Sequence, residues 1–136
     1  MSNLPNDIIV EAAGGLSFGN YTAKEKIKVN DFEHMGNIYS LRSHNQVTRL
    51  EKNGEMLIET VPGAAISNFT LDDAICSFDI AGAANVQVTL GLAPEVTYHL
   101  RVAGDVSEEI TANRSGKLSF GAELSREAKK VILEKQ

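Results

Sequence analysis

Apolar and polar residues alternate along much of the chain, most clearly over residues 85–92. In that segment valines and leucines occupy every second position, with polar residues between them, and residues 96–102 repeat the pattern. Successive side chains of a β-strand point to opposite faces, so this period is typical of antiparallel strands with one face on a core. The same alternation recurs over residues 76–80 and 118–124. These segments predict a chain built mainly of half-buried strands.

Turn-forming residues separate these segments at short intervals. The pair Asn53-Gly54 favours a two-residue hairpin turn, because both central residues of that turn need positive φ. Residues 24–29 are predicted to form a charged strand at a sheet edge. The best helix candidate, residues 125–130, is one turn at most, and the apolar residues 131–133 predict a final strand. Short strands between closely spaced turns indicate a sandwich or barrel and not alternating strands and helices.

Length and charge limit the organisation and the partners. A chain of 136 residues fits one domain, so we expect a single domain over residues 1–136, with residues 1–6 a flexible lead. Its net charge of −5 argues against general affinity for nucleic acid or anionic lipid. No apolar stretch is long enough for a membrane helix, so no membrane insertion is expected. No secretory signal is visible, which leaves a cytoplasmic protein or a module of a surface protein.

The spacing of Leu92, Pro94 and Tyr98, followed by alternating apolar residues, resembles the end of a fibronectin type III domain. The resemblance implies a tyrosine corner, in which the Tyr98 hydroxyl bonds to the backbone a few residues upstream. Residues 113–120 are also similar to the last hairpin of immunoglobulin-like accessory modules in bacterial surface proteins and polysaccharide enzymes. We therefore expect an all-β, two-sheet antiparallel sandwich of immunoglobulin or fibronectin type. The chain lacks the Trp usual in fibronectin domains, and its many strands make a jelly roll the alternative.

Residues for catalysis or metal binding do not form a recognisable set. Residues 15–19 have the letters Gly-x-Ser-x-Gly, but a nucleophile of that type needs a helix after the serine, and a charged strand follows instead. A metal site would need the hairpin after His34 to bring it to His44, with Glu33 or Asp31 completing the ligands. We expect no enzymatic activity, no cofactor and no metal.

The remaining features favour assembly. The apolar segment Ile8, Ile9 and Val10 could add as a strand to the edge of a neighbouring subunit, with pairing inside its own sheet as the alternative. Carbohydrate binding usually needs exposed aromatic rings, and Tyr21 and Tyr39 are the candidates. We therefore expect a non-enzymatic structural or adhesive module that forms a homo-oligomer or packs with neighbouring domains. A carbohydrate-binding accessory module with a polysaccharide partner is the alternative.

Overall fold

The computed structural model describes residues 9–12, 15–72, 74–103 and 108–135. Within these ranges the chain forms thirteen strands and no helix. The strands are β1 (Ile9–Ala12), β2 (Gly15–Phe18), β3 (Ile27–His34), β4 (Asn37–Ser43), β5 (Thr48–Lys52), β6 (Glu55–Val61), β7 (Ala65–Leu71), β8 (Ile75–Ala81), β9 (Val86–Gly91), β10 (Thr97–Val102), β11 (Glu108–Thr111), β12 (Lys117–Ala122) and β13 (Lys129–Lys135).

These strands form two sheets that pack face to face. The seven-stranded sheet has the order β1-β2-β7-β8-β13-β10-β11, and the six-stranded sheet has the order β12-β9-β6-β5-β4-β3. Every neighbouring pair is antiparallel. The prediction of an all-β, two-sheet antiparallel sandwich is therefore confirmed.

Alternating side chains from both sheets fill the space between them. In β9, Val86, Val88 and Leu90 are buried, whereas Gln87 on the opposite face is exposed. The same alternation holds in β12, whose partner register places Leu118 directly opposite Leu90. The period-2 pattern thus predicted the correct inward face of these two strands.

Two hairpin turns in the six-stranded sheet use left-handed backbone. Asn53 and Gly54, between β5 and β6, have φ of 52° and 86°, as the type I′ prediction requires. Met35 and Gly36, between β3 and β4, have φ of 50° and 80° and make the same kind of turn. These short connections keep β3 to β6 adjacent in the sheet, so residues on consecutive strands lie side by side.

Two predicted strands have other bounds in the structure, and one predicted helical turn is absent. The charged edge strand predicted over residues 24–29 is β3, which lies at the sheet edge as expected but begins at Ile27 and continues to His34. The helical turn predicted over residues 125–130 is absent, because Lys129 already pairs with Ile80 of β8. The predicted final strand is longer than residues 131–133, since it spans all of β13.

Candidate functional site: the free edge of strand β12

The sandwich has four edge strands, which differ in how well they are protected from pairing with another chain. An edge strand presents unpaired N–H and C=O groups, and proteins blunt such edges by shortness, bulges or charge. In the seven-stranded sheet, β1 and β11 have four residues each within the described ranges. In the six-stranded sheet, β3 is interrupted by a register shift between Val29 and Phe32, where Asp31 has a φ of 58°. The fourth edge strand, β12, has six residues and pairs with β9 without a register shift.

The hydrogen bonds of Lys117 show which backbone groups of β12 face the open edge. The Lys117 amide donates to Asn113 Oδ1 at 3.0 Å, and its carbonyl accepts from the Asn113 amide at 2.9 Å, so both groups are held outside the β9 ladder. Along an antiparallel strand, backbone groups point alternately to the two neighbouring positions. Ser119 and Gly121 therefore direct their N–H and C=O groups away from β9. Among the described strands, β12 pairs with β9 alone.

The side chains of β12 after Lys117 are buried or small, and none of them is charged. Leu118 and Phe120 are buried in the core, whereas Ser119 and Gly121 are exposed and small. No residue from 118 to 122 carries a charge. After Lys117 the strand therefore lacks the charges that usually keep an edge from pairing.

Opposite charges flank the uncharged stretch. Lys117 begins β12, and Glu123 follows its last residue. Both residues are exposed, and neither side chain forms an ion pair with another described residue. The edge is thus positive at one end and negative at the other, which is a self-complementary arrangement for antiparallel pairing.

The segment predicted to add to a neighbouring subunit is paired in its own chain. Ile9 and Val10 belong to β1, which pairs with β2. Ile9 is buried, whereas Val10 is 40 % exposed on the outer face. Ile8 and the lead over residues 1–6 lie outside the described residues. The pairing follows the intramolecular alternative, and no second strand of the described residues pairs with β1.

The two tyrosines considered for sugar stacking differ in exposure. Tyr21 is partly exposed in the connection between β2 and β3. The expectation of an exposed ring at Tyr39 was wrong, because that side chain is only 7 % exposed. Tyr39 lies on the same face of β4 as the buried Leu41, its ring centroid is 6.0 Å from that of His34, and burial raises its pKa. The tyrosine pair therefore does not present two exposed rings.

Tyr98 links strand β10 to the connection that precedes it, where the chain passes from one sheet to the other. Its hydroxyl oxygen accepts a hydrogen bond from the Ala93 amide at 3.3 Å, and the side chain is buried. Leu92 is half-buried against the core, and Pro94 is exposed in the turn that follows. Because β9 lies in one sheet and β10 in the other, this bond fixes the chain where it changes sheet.

The histidines considered for metal binding lie far apart. His34 ends β3, whereas His44 follows the last residue of β4, so the length of β4 separates them. His34 Nδ1 is instead within hydrogen-bonding distance of Glu11 Oε2 on β1. Among the described residues, no group of three or more His, Cys, Asp or Glu side chains could hold a metal ion. The predicted hairpin therefore does not assemble the ligand set.

Comparisons with family models, with curated proteins and with solved structures found no match for this chain. Within the described ranges there is also no helix long and apolar enough to cross a membrane.

Proposed function

We propose that this chain is a non-enzymatic structural module that self-associates through the edge of β12. The observation that carries the proposal is a six-residue edge strand, uncharged from 118 to 122, on which Ser119 and Gly121 turn their backbone groups outward. Addition of a strand to such an edge gains main-chain hydrogen bonds, and the side chains determine which partner fits. The occupant we infer is a second copy of β12.

Antiparallel pairing about a two-fold axis through Phe120 matches the faces of the two strands. In this register Ser119 lies opposite Gly121 of the second copy, and Leu118 lies opposite Ala122 of the second copy. Directly opposite residues of an antiparallel pair point to the same face. Exposed residues therefore meet exposed residues, and buried residues meet buried residues. The result is a closed dimer of the kind most common among soluble oligomers.

The same register satisfies the outward backbone groups and the charges. Ser119 and Gly121 of the second copy exchange N–H···O=C hydrogen bonds in both directions, as does the symmetry-related pair. Lys117 lies opposite Glu123 of the second copy, and such cross-strand pairs of opposite charge are favourable. Sliding the strands by two residues would place Lys117 opposite Gly121 of the second copy. Hydrogen bonds between those two residues would need the N–H and C=O of Lys117, which are already bonded to Asn113. The charges and the Asn113 bonds thus favour one register.

We also infer that the sandwich is of fibronectin type III or immunoglobulin type. The support is the spacing of Leu92, Pro94 and Tyr98 together with the hydrogen bond between Tyr98 and Ala93. The thirteen strands exceed the roughly seven of the simplest immunoglobulin sandwich. The relationship concerns architecture, and the assembly proposal stands on the β12 edge without it.

Sedimentation velocity and light scattering across micromolar to millimolar concentrations test the assembly. A single strand pair makes a small interface, so we expect a concentration-dependent monomer–dimer equilibrium. Ser119→Pro removes an edge-facing N–H without removing a bond to β9, and Pro is tolerated on edge strands. This variant should stay monomeric. Ser119→Ala is the matched control and should dimerise, because it retains the N–H.

A charge exchange provides a second test that does not alter the backbone. Lys117→Glu places two carboxylates opposite each other in both symmetry-related pairs and should weaken the dimer. Adding Glu123→Lys to that variant restores opposite charges and should restore association. A monomer at every concentration, or a dimer that neither Ser119→Pro nor Lys117→Glu weakens, would overturn the proposal.

A further inference from the structure

Three basic residues form a row across the outer face of the six-stranded sheet. Lys28 on β3 lies directly opposite Arg42 on β4, and Arg42 lies directly opposite Arg49 on β5. Directly opposite residues have Cβ atoms about 5 Å apart, and like charges at that position are destabilising. The chain as a whole carries a net charge of −5. This row is therefore a local concentration of positive charge in an acidic protein.

Only one end of the row is neutralised by carboxylates. Arg49 Nε bonds to Glu51 Oε2 at 3.1 Å, and Arg49 Nη1 bonds to Glu59 Oε2 at 3.0 Å. The hydrogen bond to Glu59 is the main reason that the pKa of Arg49 is raised. Lys28 and Arg42 form no ion pair with any carboxylate in the described part of the chain. Two unneutralised cations thus lie side by side, next to an arginine that is held in place.

A depression of about 110 Å³ lies among these residues. Its lining combines Lys28, Arg42 and Arg49 with Asn30, Ser40, Leu41 and the carboxylate of Glu51. Glu51 is paired with Arg49, so Lys28 and Arg42 supply the unpaired charge of the depression. A guanidinium, an ammonium, an amide and a hydroxyl group all donate hydrogen bonds, and an arginine can bind an oxyanion through two parallel bonds. On the side of the depression formed by Lys28 and Arg42, these donors match a carboxylate or sulfate group.

A larger cleft continues from the same arginine. Arg49 also lines a cleft of about 620 Å³, together with Lys52 and Lys117 and the polar side chains of Asn53 and Ser115. Cations therefore line both cavities, which share Arg49: Lys28 and Arg42 line the depression, and Lys52 and Lys117 line the cleft. A ligand that carries several anionic groups can contact the cations of both cavities, which a single small anion cannot do.

The cleft lining distinguishes between classes of polymer. Single-stranded nucleic acids depend on aromatic side chains for base stacking, and neither lining includes an aromatic residue. Met56 and Leu92 offer apolar surface for a sugar ring, and Glu55 offers an acceptor for hydroxyl groups. We propose that this face binds an acidic polysaccharide, with a carboxylate or sulfate group held between Lys28 and Arg42. Lys28 and Arg42 lie on β3 and β4, at the end of the sheet opposite to β12, so pairing through β12 does not cover them, although Lys117 of the cleft lies on β12.

Affinity electrophoresis of the full chain tests the site. The gels contain polygalacturonate as the carboxylate probe, dextran sulfate as the sulfate probe, or dextran as the neutral control. Arg42→Gln and Lys28→Gln should each weaken retardation on the order of tenfold, since each removes a charge-assisted contact. Arg126→Gln is the matched control, because it makes the same change in charge at an exposed residue in the connection before β13.

Each outcome bears on the proposal. Retardation by either acidic polymer that is lost in Arg42→Gln and retained in Arg126→Gln supports it, and the stronger probe identifies the anionic group. Equal losses in Arg42→Gln and Arg126→Gln indicate diffuse charge attraction and overturn it. So does retardation by neutral dextran that equals retardation by the acidic probes, tighter binding to single-stranded DNA, or no retardation by either acidic polymer. Ser119→Pro should bind short acidic oligosaccharides as the unmodified chain does, which separates this test from that of the dimer.

Discussion

Gly116 and Gly54 have nearly the same backbone conformation in very different surroundings. Their φ values are 81° and 86°, both left-handed. A Cβ at Gly54 would meet nothing within 4 Å, whereas a Cβ at Gly116 would lie 2.3 Å from the Leu92 carbonyl oxygen. The Gly116 carbonyl also accepts a hydrogen bond from the Leu92 amide at 2.7 Å, so the two backbones are tied together. Replacing each glycine with alanine therefore separates backbone strain from close packing.

The expected losses follow from these two contributions. Alanine in the left-handed region costs about 1–2 kcal/mol, and this contribution applies to Gly54→Ala and Gly116→Ala alike. At Gly116 the backbone of Leu92 must also move, and forcing atoms into a packed site costs about 1–3 kcal/mol more. We expect Gly54→Ala to lower the free energy of unfolding by about 1–2 kcal/mol and Gly116→Ala by about 2–5 kcal/mol.

Urea denaturation followed by circular dichroism measures both losses. Gly36→Ala is an additional control, because Gly36 has a φ of 80° and open space around it. A difference of 1 kcal/mol corresponds to about 3–4 °C in Tm for a chain of this length. If Gly116→Ala and Gly54→Ala lose the same stability, the close approach of Gly116 to Leu92 is not a structural constraint and the reasoning fails.

Three further substitutions or titrations test the core. Tyr98→Phe removes the hydrogen bond from the Ala93 amide and should destabilise the fold by about 1 kcal/mol, so an unchanged Tm in calorimetry would contradict the role of this bond. Val88→Asp places an unpaired charge at a fully buried position and should prevent folding, which a soluble variant with a cooperative melt would disprove. Burial raises the pKa of Cys76 from 9.0 to about 12, so its thiol should not react with a disulfide reagent at pH 8 until the protein unfolds. Because the unfolded thiol ionises first, stability should also fall above pH 9, by up to about 1.4 kcal/mol per pH unit relative to Cys76→Ala, and equal slopes would contradict the shift.

The alternating segments and the turn pairs were sufficient to predict the class of fold. In β9 and β12 one face is apolar and the other polar, so each strand has a single favourable orientation. Strand β4 has apolar residues on both faces, since Ile38 and Tyr39 are neighbours. The local sequence pattern could not decide which of the two faces of β4 is buried. Tertiary packing buries Tyr39 and leaves Ile38 46 % exposed, so the predicted exposure of Tyr39 was wrong.

The candidate sites depend on pairing between distant segments. The alternation over residues 118–124 predicts a strand, but it does not reveal that the strand pairs with β9 and has no second neighbour among the strands that the structure describes. The basic row was missed, although part of it was detectable. Arg42 and Arg49 are placed symmetrically about the connection between β4 and β5, which predicts that they are opposite. Predicting that Lys28 lies opposite Arg42 would have required the position of the bulge in β3, for which the sequence gives no signal.

The β12 dimer and the basic row make a joint prediction about long ligands. Pairing through β12 joins two six-stranded sheets with their outer faces on the same side. The two Arg42 side chains would then be roughly 43 Å apart, from about nine inter-strand spacings of about 4.8 Å. A polymer long enough to reach both rows binds the second at high effective concentration, so its avidity exceeds that of one row. Ser119→Pro should therefore weaken retardation by long polygalacturonate while leaving binding of short oligogalacturonates unchanged, with Ser119→Ala as the control. Equal weakening for long and short ligands would mean that β12 contributes to the binding site itself, and the two edges of the sheet would then not act independently.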